Sequence, residues 1–174
     1  LSGALRQSGA ITIDVASGKT LSYSGAAVSL GAYTLTMSGE GTLSNTNAFV
    51  LNNASSKLLL SSSITVGSVS TSLASLGLDV DANSTVSSLT VGHITPVSIA
   101  SGKTLSGAIT VSAGSIKLGE TGELASTVSM SGGTLDADES LTLSGALTQA
   151  GNITIDVASG KTLTYSGAAV NLGA

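Results

Sequence analysis

The 174-residue chain has no cysteine, no tryptophan, one proline and one histidine. Without cysteine it can form neither a disulfide nor a Cys-based metal site, and His93 alone excludes a multi-histidine one. Aromatic residues are 2% and charged residues 9%, against roughly 25% charged in an average soluble domain. Six Lys and Arg face ten Asp and Glu, for a net charge of −4. That balance lacks the basic patches with which proteins displace counterions from phosphates, so no nucleic-acid partner is expected. No apolar run approaches the ~20 residues of a membrane-spanning helix. No basic segment precedes an apolar core at the start, as it would in a secretory signal. Opening on Leu1 without Met, the sequence reads as a processed or excerpted piece.

What is abundant is small and aliphatic. Ser and Thr make up nearly a third of the chain, Gly contributes 22 residues, and hydrophobic residues reach 41%. Val, Ile, Leu and Ala are too frequent for a chain unable to bury a core. Segment 1–32, LSGALRQSGAITIDVASGKTLSYSGAAVSLGA, recurs as segment 143–174 with 27 positions identical, an offset of 142. The exceptions are Arg6, Ser8, Ala10, Ser22 and Ser29, replaced by Thr148, Ala150, Asn152, Thr164 and Asn171. The chain is therefore one long period plus the start of the next.

A nine-residue block lies inside that period. It reads IDVASGKTL (13–21), LTMSGEGTL (35–43), VLNNASSKL (50–58), LDVDANSTV (78–86), VSIASGKTL (97–105), IKLGETGEL (116–124), LDADESLTL (135–143) and IDVASGKTL (155–163). Steps between block starts are 22, 15, 28, 19, 19, 19 and 20. The long step contains 61–77, read as an extra strand or a protruding loop. A second apolar-x-apolar triplet follows three blocks: Leu89-Thr90-Val91, Ile109-Thr110-Val111 and Val128-Ser129-Met130. Such alternation over short segments, with Gly, Ser, Asn and Asp between them, is a strand signal, and no window sustains a helical stripe.

Two all-β architectures fit such a pattern. A sandwich or barrel has a core fed by large and aromatic side chains, which are scarce here. A parallel β-helix stacks each coil on the last at ~4.8 Å and has a narrow interior suited to aliphatic residues. The sequence predicts an all-β chain, a parallel β-helix (β-solenoid) of about 20 residues per coil and roughly seven coils per long period. Residues 1–174 form one continuous segment, with Leu78, Val97, Ile116, Leu135 and Ile155 in one interior column. Pro96, just before Val97, occupies a position that tolerates a residue unable to donate to a ladder. With near-identical start and finish, the chain's expected partner is itself, by continuation of the solenoid or by head-to-tail stacking.

Catalytic and ligand motifs are weak. ASGKT at 16–20, 100–104 and 158–162 ends like a phosphate-binding loop, but Ile13, Val97 and Ile155 stand where the first glycine belongs. A tight turn with Gly at positive φ and solvated Lys19, Lys103 and Lys161 is the expected structure. Asp14 and Asp156 are placed outward, near a Lys of an adjacent coil. Carboxylates group at Asp79/Asp81, Glu120/Glu123 and Asp136/Asp138/Glu139, a composition that suits Ca²⁺ or glycoside cleavage. Ser98 and Lys117 are expected to interrupt any line from Asp79 to Asp136. His93, in GHITP, reads as a surface turn residue rather than a base. Asn53, Asn83 and Asn152 head glycosylation sequons. Outward Thr in ITI, LTM, LTV, ITV and LTL suggests a flat ice- or polysaccharide-binding face, with the unequal block steps expected to break its register. No catalytic, cofactor or metal residue is assigned.

MSGEGTLSNT (37–46), VSMSGGTLDADESLTLSGALTQAGNITI (128–155) and VASGKTLTYSGAAVNLGA (157–174) resemble the repeats of bacterial surface proteins with β-helical shafts. Autotransporter passenger domains, with their GTL-type repeats, and filamentous-haemagglutinin-like adhesins are the nearest of these. The resemblance implies secretion and a rigid extracellular or cell-surface rod serving as fibre, adhesin shaft or surface layer. Glycan contact is a separate expectation, from the Thr/Ser/Asn face. The expected function is thus a structural, non-catalytic rod or filament segment. A binding module with a Thr/Ser/Asn face for polysaccharide or ice is the alternative, and a carbohydrate-processing β-helix enzyme the third reading.

Overall fold

A computed structural model describes residues 1–172 apart from Ala4, Thr46, Glu120, Thr121 and Ala169. Among the described residues every strand pairing is parallel and there is no helix. The chain is a β-solenoid of eight coils. One wall is an eight-stranded sheet of Ile11–Asp14, Thr34–Ser38, Lys57–Leu60, Gly77–Val80, Thr95–Ile99, Ser115–Gly119, Thr134–Ala137 and Thr154–Val157, one strand from each coil in chain order. The other strands form a thirteen-stranded sheet that closes each coil. In coils 3 to 5 this second side is one long strand: Thr65–Thr71, Ser84–Val91 and Thr104–Val111. Elsewhere it breaks into two legs, such as Thr20–Tyr23 with Val28–Ser29, and Leu141–Leu143 with Leu147–Gln149.

Alternation decides which side chains go inside. Successive strand residues point to opposite faces, so Leu35 and Met37, Leu58 and Leu60, and Val97 and Ile99 are buried while Thr36, Leu59 and Ser98 between them are not. The interior is a continuous aliphatic column. Its buried aromatic members are Tyr23 and Phe49, with ring centroids 6.3 Å apart. Each fully buried Leu, Ile or Val contributes roughly 1.5–3 kcal/mol, and neighbouring coils share that burial. Polar groups inside are placed at corners. Ser56 Oγ accepts from the Asn53 N–H and donates to the Gly31 carbonyl. Asn45 Nδ2 donates to the carbonyls of Asn47 and Ser68.

The ladder corrects the coil register. Along the first wall Ile11 leads through Leu35, Leu58, Leu78, Val97, Leu118 and Ala137 to Val157, in steps of 24, 23, 20, 19, 21, 19 and 20. Lys57–Leu60, not Val50, is the third coil's strand in this wall; Phe49–Leu51 belongs to the other sheet. The steps of 15 and 28 therefore become 23 and 20, and 61–77 holds the ordinary strand Thr65–Thr71 and a corner rather than an extra strand. Val97 stands beside Leu118 and not Ile116; Ile116 continues to Leu135 and Ile155. Both Ile13, which pairs with Met37, and Val97 are thus displaced by two positions from their expected partners. A slip of one would turn every side chain to the wrong face, whereas a slip of two keeps the interior apolar. The second-side triplets stack as expected, Leu89 on Ile109 on Val128 and Val91 on Val111 on Met130.

Candidate functional site

The solenoid sorts its surface chemistry by wall. Most charges lie on the first wall and at corners: Lys57 pairs with Asp79, and Lys117 lies 3.5 Å from Asp136 and 3.1 Å from Asp138. The hydrogen bond that Lys117 donates to Asp138, then the charges of Asp136 and Asp138, hold its ammonium above the ordinary pKa of 10.5, against a small desolvation penalty. At one corner Lys161 reaches Glu139 at 2.5 Å, so it is an ion-pair partner rather than a free turn charge. Asp14 accepts from Ser38 Oγ at 2.8 Å, not from a Lys, and Asp156 stands beside Asp136. Asp79 continues to Ser98 and Gly119, whereas Asp136 follows Pro96 and Lys117. The two carboxylates thus stand in different rows, because of the two-position slip at Val97.

The thirteen-stranded sheet carries one charged residue in its described strands, Glu123, which accepts from Ser144 Oγ. Its outer face is otherwise built mainly of hydroxyls, with Val50 and Ala108 among them. Thr20, Thr42, Thr65, Thr85 and Ser106 follow one another coil by coil. Ser70, Thr90, Thr110, Ser129 and Thr148 form a second row. Ser129 and Thr148 share a hydrogen bond of 2.9 Å. Neighbours in a row are ~4.8 Å apart, and alternate residues along a strand ~6.6 Å. The expected loss of register is only local: the variable block steps are absorbed by corners of different length, while Ser84–Val91 shifts by one residue against Thr104–Val111 between Val86 and Leu89. The face can exchange hydrogen bonds with a ligand that itself repeats.

The remaining sequence candidates are dispersed. The three SGKT segments are turns in which Gly18, Gly102 and Gly160 have φ of 69°, 70° and 74°, and each Lys N–H donates to the Ala carbonyl three positions back. His93 is exposed at a corner, its carbonyl accepting from Thr95 Oγ1. Asp81 is exposed at another corner, and Glu120 lies outside the described residues. Asn53, Asn83 and Asn152 lie outside the strands and are all exposed. Among the described residues no group of three or more His, Cys, Asp or Glu is placed to hold a metal ion. A cleft of about 480 Å³ lies between residues 5–8 and 23–29, with Arg6 its charged lining group.

The repeat junction occurs twice. Ser24 N–H donates to the Leu1 carbonyl and Ser166 N–H to the Leu143 carbonyl, each at 3.0 Å. The Tyr23 hydroxyl accepts from the Leu5 N–H at 3.2 Å and the Tyr165 hydroxyl from the Leu147 N–H at 3.3 Å. Identical sequence thus makes identical coil-to-coil bonds one long period apart. What differs is cover: Val15 and Val28 are 4% and 2% exposed, while their counterparts Val157 and Val170 are each 37% exposed and Ile155 is 49% exposed. No helix is long and apolar enough to cross a membrane among the described residues. No protein-family model, curated protein or solved structure matches the chain.

Proposed function

We propose that this chain is a segment of a structural, non-catalytic rod or filament of an extracellular or cell-surface protein. The observation that carries this reading is the doubled junction. Because Leu1 and Leu5 meet Ser24 and Tyr23 as Leu143 and Leu147 meet Ser166 and Tyr165, a further period fits onto the preceding one with no new contact to invent. Solenoid units contact only their neighbours, so length is added without redesign of the core. The location at the cell surface rests on the resemblance of the GTL-type strings to shaft repeats.

Electron microscopy of a chain carrying two and then three periods tests it. Seven coils at ~4.8 Å add about 34 Å of rod per period. Particles that grow in width, or separate into beads, would rule the reading out.

A second reading is favoured by one specific observation, the registered Thr and Ser rows of the thirteen-stranded sheet. On it, the face binds polysaccharide or ice. Co-sedimentation with insoluble polysaccharides and inhibition of ice recrystallisation check it, each against Thr90→Lys and Thr110→Lys. Binding unaffected by those changes removes the face from consideration.

A further inference from the structure

Charge and exposed apolar surface occupy different edges of the solenoid. The corners that return each coil from the thirteen-stranded sheet to the first wall are 30–33, 52–56, 72–76, 92–94, 112–114, 131–133 and 150–153, and none holds an Asp, Glu, Lys or Arg. The corners at the far edge of the first wall hold Lys19, Glu40, Asp81, Lys103, Asp138 and Lys161. Among the described residues between 33 and 142, the large apolar side chains left exposed are Tyr33, Leu73, Leu76 and Ile94, at 38%, 51%, 54% and 52%. All four lie on the uncharged edge. The Lys57 N–H donates to the Tyr33 carbonyl and the Leu76 N–H to the Ser56 carbonyl, so Leu76 stands two coils beyond Tyr33. Val97 beside Leu78 brings Thr95 beside Leu76, with Ile94 next to it. Bordering these corners on the inside are hydroxyls: Ser56, Thr71 and Thr95 are buried, and the Thr71 and Thr95 Oγ1 atoms lie 3.1 Å apart. Hydroxyls inside and leucines outside invert the usual sorting, so packing of the core does not account for the patch.

We propose that this edge joins two copies of the chain side by side, with Leu73, Leu76 and Ile94 of one copy against the same residues of the other. The proposal rests on the rod reading and names the lateral partner of the rod. Each copy carries a net charge of −4, and like charges set face to face oppose association. The uncharged edge is where two copies approach with least repulsion. It also lacks the Lys and Arg that draw a protein to anionic lipid headgroups, which favours a second copy over a membrane. A patch set against itself closes on a two-fold axis. Four partly exposed side chains cover far less than the ~800 Å² per partner of a stable interface. One patch is therefore weak, whereas patches repeated along a rod of several periods act together.

The test uses a chain carrying three periods, imaged by electron microscopy and compared with the single chain by sedimentation. Rods lying side by side are expected, doubled in width but not in length, with an affinity ~10²-fold or more above that of the single chain. Leu76→Lys and Ile94→Lys in every period are expected to give single rods and to weaken association ~10-fold or more. Both side chains are more than half exposed, so the coils keep their packing, and intact rods in the images check this. Ser17→Lys and Ser101→Lys add the same charge at exposed positions of the opposite edge and are expected to leave pairing unchanged. Single rods from the parent, pairing that survives the edge lysines, or pairing lost equally with the control lysines would overturn the proposal and leave the structural rod in place. Single rods that float with phosphatidylcholine vesicles, and no longer do so with the edge lysines, would overturn it in favour of a lipid surface. Beads in place of rods would remove both readings.

Discussion

The Tyr23 hydroxyl joins two coils: it accepts from the Leu5 N–H at 3.2 Å and donates to the Ala26 carbonyl at 2.9 Å. Tyr23 is 2% exposed, so water is poorly placed to replace either bond. Tyr23→Phe is expected to lower unfolding stability by about 1–3 kcal/mol, the cost of stranding buried polar groups. Tyr165→Phe, with a more exposed ring, is expected to cost less. Urea unfolding of the two single variants compares them directly.

Interior columns are expected to carry most of the stability. Leu58 is 0% exposed, between Leu35 and Leu78 in the ladder. Leu58→Ala should cost about 2–5 kcal/mol through lost transfer energy and an unfilled cavity. Ile155→Ala, on the bare edge, should cost about 1 kcal/mol or less, since much of that side chain already meets water. Equal losses at the two sites would show that coil 8 is as well covered as coil 3.

Two glycines with positive φ should respond differently to the same change. Gly18 (φ 69°) lies in the first SGKT turn, and an added Cβ would meet nothing within 4 Å. Gly18→Ala is expected to cost only about 1 kcal/mol, the left-handed backbone penalty. Gly77 (φ 85°) lies against the Pro96 backbone of the next coil, and an added Cβ would collide with the Pro96 carbonyl oxygen. Gly77→Ala should therefore cost about 3 kcal/mol or more, with overpacking added to backbone strain. Thermal melts of the pair separate the turn requirement from the coil-spacing one.

These sites also show what a linear sequence discloses. The parity of Leu89, Val91, Ile109 and Val111 is visible from alternation alone, because it depends on neighbours within one strand. Register is not, because it is set in corners whose lengths vary. Val50 looked like a block start since Leu51 follows it, yet Phe49 and Leu51 point inward and Val50 does not. The hydroxyl face was visible one Thr at a time. Its rows depend on Thr65 aligning with Thr42 and Thr85, which only the coil lengths between them decide.

Lys117 gives a pH dependence of definite sign. Asp138 and Asp136 raise its folded pKa above 10.5, so the ammonium form is favoured by folding. Its contribution is fully present below about pH 10.5, the unfolded value, and is lost as pH rises through the higher folded value. The side chain is 37% exposed, so the contribution is less than about 1 kcal/mol and weakens with salt. Lys117→Met is expected to be slightly less stable than the parent at pH 7, with the difference closing at strongly alkaline pH. A gap that widens with alkali would reverse the assignment.

Identical sequences in unequal surroundings allow a further comparison by hydrogen exchange. ITIDVASGKTL occurs at 11–21 and 153–163. In the first copy the strand is paired with coil 2, and Val15 and Tyr23 beyond it are buried. In the second, Thr154–Val157 is exposed at every position. Local opening is easiest where few apolar contacts must break, and a terminal solenoid unit has only one neighbouring interface to hold it. Amides of 153–163 are therefore expected to exchange faster than those of 11–21 in dilute, monomeric protein. Peptides covering 10–22 and 152–164 differ in mass through Ala10/Asn152 and Ser22/Thr164, so both can be followed in one digest. Equal rates would mean that the difference in cover between the two copies does not exist in solution.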